Sequence, residues 1–185
     1  MKTIFEKLCG KYFVLLINLL LLINCSDKAT NPLPQVKECS AEELKVFGTI
    51  LDNIKLPSNQ NVILLKDSTI TPGSYAIREY SYFYALEEDT YNSFDACYNN
   101  RVALGSIPPT QKEYVYFLSK YNGSYYDANV YRLFFFSRVG FNKNQTQAFV
   151  FVSEGSYQNA KEYYLILENI NNVWEIKSNI LIGMS

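Results

Sequence analysis

The strongest pattern of apolar and polar positions lies in the last third of the chain. Four short runs are rich in aromatic and β-branched residues, and each is bounded by Asn, Gly, Ser or Lys, a composition typical of turns. The runs are Tyr131-Arg138, Gln147-Ser153, Tyr163-Glu168 and Val173-Lys177. Runs of this length and composition predict one antiparallel meander.

The polarity of the runs predicts their places in that sheet. The first run has apolar side chains on both faces, whereas the last alternates apolar residues with Glu175 and Lys177. We therefore expect a progression from central strand to edge strand, with helices covering one face of the sheet. Residues 169–172 predict the final hairpin turn, because Asn tolerates positive φ.

An amphipathic helix is predicted at the start of the domain. Ser40 and Glu43 have the spacing of a capping box, and Pro57 ends the pattern. The apolar stripe consists of Leu44, Phe47, Ile50, Leu51 and Ile54. A stripe of this kind packs on a sheet, and residues 61–66 then indicate a buried strand.

A second helix is predicted over residues 90–99, directly after the acidic cluster Glu87, Glu88 and Asp89. The helix dipole favours acidic residues at this end. The alternative is a carboxylate pair for glycosidic or metal chemistry, but carboxylates adjacent in sequence do not face each other across a cleft. The patterns together predict an α+β fold, with one or two N-terminal helices packed on a C-terminal antiparallel meander.

The first residues have the pattern of an export signal. Lys2, Lys7 and Lys11 precede an apolar run over residues 12–23, interrupted only by Asn18. Twelve residues are too few to span a bilayer as a helix and suit the apolar region of a signal peptide.

The end of that run resembles a bacterial lipobox, because Leu22-Ile23-Asn24 precedes Cys25. Asn24 stands where Gly, Ala or Ser is usual, and the alternative is an ordinary secretory signal with a chance Cys. We expect a lipoprotein that carries fatty acyl chains such as palmitate on Cys25, in the bacterial cell envelope and at the outer membrane rather than the inner. The expected organisation is a signal peptide (1–24), a flexible tether (25–39) and a single domain (40–185).

Two cysteines remain for the domain once Cys9 leaves with the leader and Cys25 takes lipid. These are Cys39 and Cys97, and pairing is the usual fate of two thiols in an oxidising compartment. The alternative is two separate buried thiols, because sequence does not supply the Cα spacing that a disulfide needs.

Composition narrows the chemistry. The chain has no His, which excludes Ser-His-Asp and Cys-His catalytic pairs and His-based zinc sites, so no metal or cofactor is expected. The net charge of −1 gives no basic field for nucleic acid.

Tyrosine is the residue in excess, with 16 among 185. Because so many hydroxyl groups are hard to bury in a small domain, an exposed aromatic surface is a candidate binding site. The alternative is a thin, sheet-rich domain whose Tyr rings are half-buried. The candidate surface consists of Tyr80, Tyr82, Tyr84, Tyr125 and Tyr126.

A family resemblance rests on Ser137-Arg-Val-Gly-Phe-Asn-Lys143, followed by Thr146-Gln-Ala148, Tyr163-Tyr-Leu165 and Trp174. This set resembles a family of uncharacterised bacterial secreted proteins and lipoproteins with a Ser-Arg-Val-Gly-Phe-Asn core. Residues 153–161 depart from the Cys- and Gly-rich loop of many members, and Asn172-Val173 departs from their Gly-Lys. The resemblance implies a small α+β domain with a cystatin-like or nuclear-transport-factor-like curved sheet, and no known activity. Within the motif, Arg138 is either an anion site or the partner of a carboxylate or of loop carbonyls; the second interpretation is favoured because no Gly-rich helix start accompanies it.

Two functions remain. The first is a non-enzymatic binding or interaction module, held at the membrane by its lipid, with an envelope protein or glycan as partner. The alternative is a carboxylate-dependent hydrolase acting on envelope polymer. A deep pocket with two convergent acids distinguishes the second from the first.

Overall fold

A mixed β-sheet with a helix on each face forms the domain. The computed structural model describes residues 37–73, 80–124, 130–155 and 160–184, which fall within one compact unit, Val36–Ser185. In chain order the elements are α1 (Ala41–Asp52), β1 (Val62–Leu65), α2 (Glu88–Cys97), β2 (Val115–Phe117), β3 (Val130–Phe136), β4 (Gly140–Phe141), β5 (Gln147–Gly155), β6 (Ala160–Ile170) and β7 (Val173–Met184). Short 3₁₀ turns occupy Tyr80–Tyr82 and Leu118–Lys120.

The sheet order is β2-β1-β3-β5-β6-β7, and β4 pairs with β5 beyond the end of β3. β3, β5, β6 and β7 are antiparallel, which confirms the predicted meander. The central strand β5 is buried along most of its length, and β7 lies at the edge, as predicted. The hairpin between β6 and β7 turns at Asn171 and Asn172, whose φ values of 56° and 66° give the predicted positive φ.

The first strand makes the sheet mixed. β1 is the buried strand expected at residues 61–66, and it pairs in parallel with both β2 and β3. All four of its residues are buried, which is typical of a parallel strand covered on both faces. The sheet is therefore more than the C-terminal meander that the sequence predicted.

The expectation that helices cover one face of the sheet was wrong. On α1, Phe47 stacks on Phe136 of β3 with the ring centroids 4.5 Å apart. On α2, Phe94 packs edge-on against Phe149 of β5, at 4.9 Å. Phe149 and its neighbour Val150 belong to different apolar clusters because successive residues of a strand face opposite sides. Since β5 and β6 are apolar on both faces, each face needs a helix over it.

Both helix starts follow the predicted chemistry. The Ser40 hydroxyl oxygen accepts from the Glu43 backbone N–H at 3.2 Å, and the Glu43 carboxylate accepts from the Ser40 N–H at 2.9 Å, which completes the capping box. The cluster of Glu87, Glu88 and Asp89 occupies the N-cap and first turn of α2, which begins two residues earlier than predicted. No helix among the described residues is long and apolar enough to cross a membrane. The leader, Cys25 and nearly all of the tether lie outside the described residues.

The segment between β3 and β5 joins both helices to the sheet. The Ser137 hydroxyl oxygen accepts from the Phe151 N–H at 3.0 Å and so replaces a ladder bond where β3 ends. The Arg138 side chain and the Val139 N–H both donate to Glu43 of α1.

The same segment reaches α2 through its second half. A Cβ on Gly140 would lie 2.4 Å from the backbone nitrogen of Phe94, so only glycine allows this approach of helix and strand. The Asn142 amide donates to Glu87 and to Thr146, each at 2.8 Å. The motif that carries the family resemblance thus connects both helices to the sheet.

Candidate binding groove

An open groove of about 650 Å³ lies on the face of the sheet that carries α1. Ile54 and Lys55, just beyond the end of the helix, form one wall, and side chains of β5, β6 and β7 form the floor. The volume is within the range of small-ligand sites.

The groove exists because α1 is much shorter than the strands beneath it. Trp174 at the start of β7 donates its indole N–H to Glu42 at the start of α1, at 2.6 Å. Both elements have 12 residues, but a helix of that length spans about 18 Å and a strand about 40 Å. With the two starts joined, the far end of β7 extends beyond the helix and remains uncovered.

A partly satisfied polar network lies in the floor. Glu154, 9% exposed, has one carboxylate oxygen 3.8 Å from Nε of Arg132, and the other accepts from the Tyr163 hydroxyl at 3.5 Å. Burial, and then the nearby Glu154 carboxylate, raise the pKa of Tyr163, so its hydroxyl keeps the proton that it donates. Nε and Nη1 of Arg132 are buried and make no hydrogen bond. Lys161 lies directly opposite Glu154 on the neighbouring strand and also lines the groove.

This arrangement is suited to binding. Aliphatic walls and the Tyr131 and Tyr163 side chains provide apolar contact, and the polar floor provides hydrogen-bonding groups that orient a ligand. Among the lining residues that the structure describes, Glu154 is the one carboxylate, and Arg132 and Tyr163 already contact it. The described residues contain no cluster of three or more Cys, Asp or Glu placed to hold a metal ion.

Part of the tyrosine surface predicted from composition lies within the residues that the structure describes. Tyr82 and Tyr84 are 62% and 96% exposed, and between them Phe83 is buried against Phe149 and Tyr164 at 4.8 and 5.2 Å. This loop packs on the α2 face, so the structure does not bring it together with the groove. The side chain of Tyr80 and both Tyr125 and Tyr126 lie outside the described residues.

Arg138 is a structural residue. Its Nε and Nη2 donate to the two oxygens of Glu43 at 2.6 and 3.2 Å, and the side chain of Glu43 is 2% exposed while that of Arg138 is 15% exposed. Burial alone would raise the pKa of Glu43, but the hydrogen bonds from Arg138, Ser40 and Val139 outweigh it and hold that pKa below its ordinary value. The carboxylate-partner interpretation of Arg138 is confirmed.

The two domain cysteines are free thiols in this structure. Cys39 is buried, and the Cys97 thiol donates to the Val139 carbonyl at 3.6 Å. Burial raises their pKa values to about 12 and about 11, with Glu43 adding to the increase and Arg138 opposing it. Both thiols are therefore protonated and slow to oxidise at neutral pH, and the Cys39–Cys97 disulfide stays a prediction.

Arg132, Glu154 and Tyr163 were not predicted from the sequence as site residues. The sequence of β5 nevertheless contains a pattern that could have identified Glu154. Residues 148, 150 and 152, which face α1, are apolar, and the next residue on that face is the charged Glu154. A charge in a core-facing register indicates a pocket or an ion pair.

No family model, curated protein or solved structure matches the chain.

Proposed function

We propose that this chain is a lipid-anchored protein of the bacterial cell envelope and a non-enzymatic binding module that takes its ligand in the groove beside α1. The observation that carries the proposal is the groove itself, whose described residues form a mixed apolar and polar lining with a single carboxylate already held by neighbouring groups.

The lining favours an envelope protein or a glycan as partner. Tyr131 and Tyr163 provide aromatic contact suited to a sugar face or an apolar side chain, while Lys55 and Lys161 provide donors at the polar positions. A curved sheet of the cystatin-like or nuclear-transport-factor-like kind, implied by the family resemblance, is part of this proposal because its concave face would hold such a ligand.

The alternative hydrolase is less well supported. Glycoside hydrolysis by two acids needs a pair of carboxyl groups about 5–10 Å apart across the scissile bond. Within the described part of the chain, Glu154 is the only carboxylate that lines the groove. The acidic cluster at Glu87, Glu88 and Asp89 lies at the start of α2, on the opposite face of the sheet.

A large side chain placed in the groove tests whether the partner binds there. Lys55 is exposed and lines the groove, so Lys55→Trp places a large ring in its mouth. We expect the amount of partner that the full chain captures from solubilised envelope, identified by mass spectrometry, to fall by roughly tenfold, the effect of about 1.4 kcal/mol.

Lys66→Trp is the matched control, because Lys66 is equally an exposed lysine but does not line the groove. Equal capture by the two variants would refute groove binding. Turnover of envelope polymer that Glu154→Gln abolishes would establish the hydrolase in its place.

A further inference from the structure

A β-bulge in β3 directs two successive side chains to the groove face of the sheet. Val130 and Arg132 lie opposite consecutive residues of β1, so Tyr131 between them is an extra residue. Successive residues of a regular strand face opposite sides, and an extra residue changes that alternation. As a result Tyr131 lines the groove while Arg132 lies beside Glu154 in its floor.

A second bulge lies in β7, on the other side of the same floor. Leu181 and Gly183 lie opposite consecutive residues of β6, so Ile182 is an extra residue. Ile182 packs on the α2 face, whereas Leu181 and Met184 both line the groove. Bulges are common beside binding sites, where they redirect side chains. Two bulges around one floor therefore indicate a surface shaped for a ligand.

Glu154 offers hydrogen-bond acceptors in this floor. Its carboxylate is 3.8 Å from Nε of Arg132, which is beyond hydrogen-bond distance, and its contact with the Tyr163 hydroxyl is long at 3.5 Å. Arg132 therefore offsets the charge of Glu154 without taking up its lone pairs. A buried carboxylate with such long contacts gains from the hydrogen-bond donors that a ligand brings.

Lys161 supplies a donor next to this acceptor. It lies directly opposite Glu154 on β6 and lines the groove, yet the two side chains form no ion pair. Within the described part of the chain, the side chains of Lys161, Lys55 and Asn179 all line the groove without a hydrogen-bond partner. Because opposite residues of antiparallel strands have Cα atoms about 4.5–5.5 Å apart, donor and acceptor face the same small region of the groove.

The proximity of opposite charges selects the chemistry of the ligand. An ammonium group placed at Glu154 would lie close to Lys161 and Arg132, and a carboxylate placed at Lys161 would lie close to Glu154. Like charges at such distances oppose binding. A hydrocarbon chain would leave both groups without partners. A hydroxyl group carries no charge and both donates and accepts, so adjacent hydroxyls suit Glu154 and Lys161 together.

We propose that the groove binds a sugar ring with vicinal hydroxyl groups, one of which donates to Glu154 while its neighbour accepts from Lys161. Tyr131 and the aliphatic side chains of Ile176 and Leu181 provide apolar contact for the C–H face of the ring. This inference rests on the proposed function, and within it selects a glycan over a protein as the partner.

Selective destruction of glycans or of proteins tests the ligand class. Solubilised envelope is treated with periodate, which cleaves vicinal diols, or with protease, then cleared of the reagent and offered to the immobilised full chain. Capture of sugar, measured by mass spectrometry, should survive protease and fall by at least about tenfold after periodate. Capture that protease removes and periodate spares, while Lys55→Trp still blocks it, would overturn the sugar ligand and leave the groove as a protein site.

Lys161→Met tests the contact in the floor. Methionine keeps most of the side-chain length but removes the ammonium donor, so capture from the protease-treated extract should fall about tenfold with the melting temperature unchanged. Lys66→Met is the matched control, because Lys66 is exposed and does not line the groove. Glu154→Asp, which keeps a negative charge near Arg132 but withdraws the carboxylate from the ligand, should give a similar loss.

Two results separate failure of the sugar contact from failure of the groove. Equal capture by Lys161→Met, Glu154→Asp and Lys66→Met, with Lys55→Trp still inhibitory, would overturn the proposed contact and retain the groove. Periodate-sensitive capture that Lys55→Trp leaves unchanged would place the glycan elsewhere and refute groove binding as well.

Discussion

Glu43 links the start of α1 to the rest of the domain. Its carboxylate completes the capping box with Ser40 and also accepts from Arg138 and from the Val139 backbone. The Glu43 carboxylate thus accepts hydrogen bonds both from the backbone at the start of α1 and from the Arg138 guanidinium. Because the pair is buried, removal of either partner leaves an uncompensated charge.

Arg138→Met should therefore lower the free energy of unfolding by about 3–5 kcal/mol, measured by urea denaturation. Arg138→Lys should recover only part of that loss, because an ammonium group cannot donate from a planar fork to both oxygens. Stability unchanged by Arg138→Met would show that the pair does not hold α1 in place.

The same pair predicts how the free energy of unfolding of the domain depends on pH in the acid range. The pKa of Glu43 is lower in the folded chain than its ordinary value of 4.5. Its contribution to stability is thus complete above about pH 4.5 and is lost as the pH falls through the lowered pKa. In the urea series, the acid dependence should be weaker in Glu43→Gln than in the unmodified chain.

At the scale of elements, local chemistry was predictable and long-range pairing was not. The capping box at Ser40 and the turn at Asn171-Asn172 depend on residues a few positions apart, so the sequence was sufficient to predict both. The parallel pairing of β1 with β3 joins segments more than 60 residues apart. The placement of α2 on the second face depends on the close contact of Gly140 with Phe94, for which the sequence shows only a glycine. The groove was not predicted because it results from a difference in physical length: a 12-residue helix, α1, is shorter than a 12-residue strand, β7.

The loop that carries Tyr82 and Tyr84 is a second candidate contact surface. Phe83 anchors it in the core while the two tyrosine rings face solvent, so the rings are held at a low entropy cost. Changing Tyr82 and Tyr84 together to Ser should reduce partner capture and leave the melting temperature nearly unchanged.

Phe83→Ser is the contrasting variant in that loop. Phe83 is buried, so its loss should destabilise the domain by about 3–5 kcal/mol. If the double tyrosine variant unfolds the domain instead, the rings belong to the core. Partner capture unaffected by the double change would leave the groove as the binding surface.

For the whole molecule, the proposed anchor and the described domain act together. A lipid on Cys25 would hold the domain to a membrane through the tether, and confinement to a surface would raise the effective concentration of the groove near an envelope partner.

The last prediction concerns that anchor. The apolar run of the leader ends at Leu22-Ile23-Asn24-Cys25, and the position of Cys after this run predicts cleavage before Cys25 and acylation of its thiol. Intact-mass analysis of the membrane fraction should find a chain that begins at Cys25 and carries acyl chains, more than one because a single chain binds a bilayer only weakly. Cys25→Ser should release the chain from the membrane, whereas Cys9→Ser, in the part of the leader that is removed, should not. A mature chain that begins at another residue and fractionates without lipid would contradict the anchor.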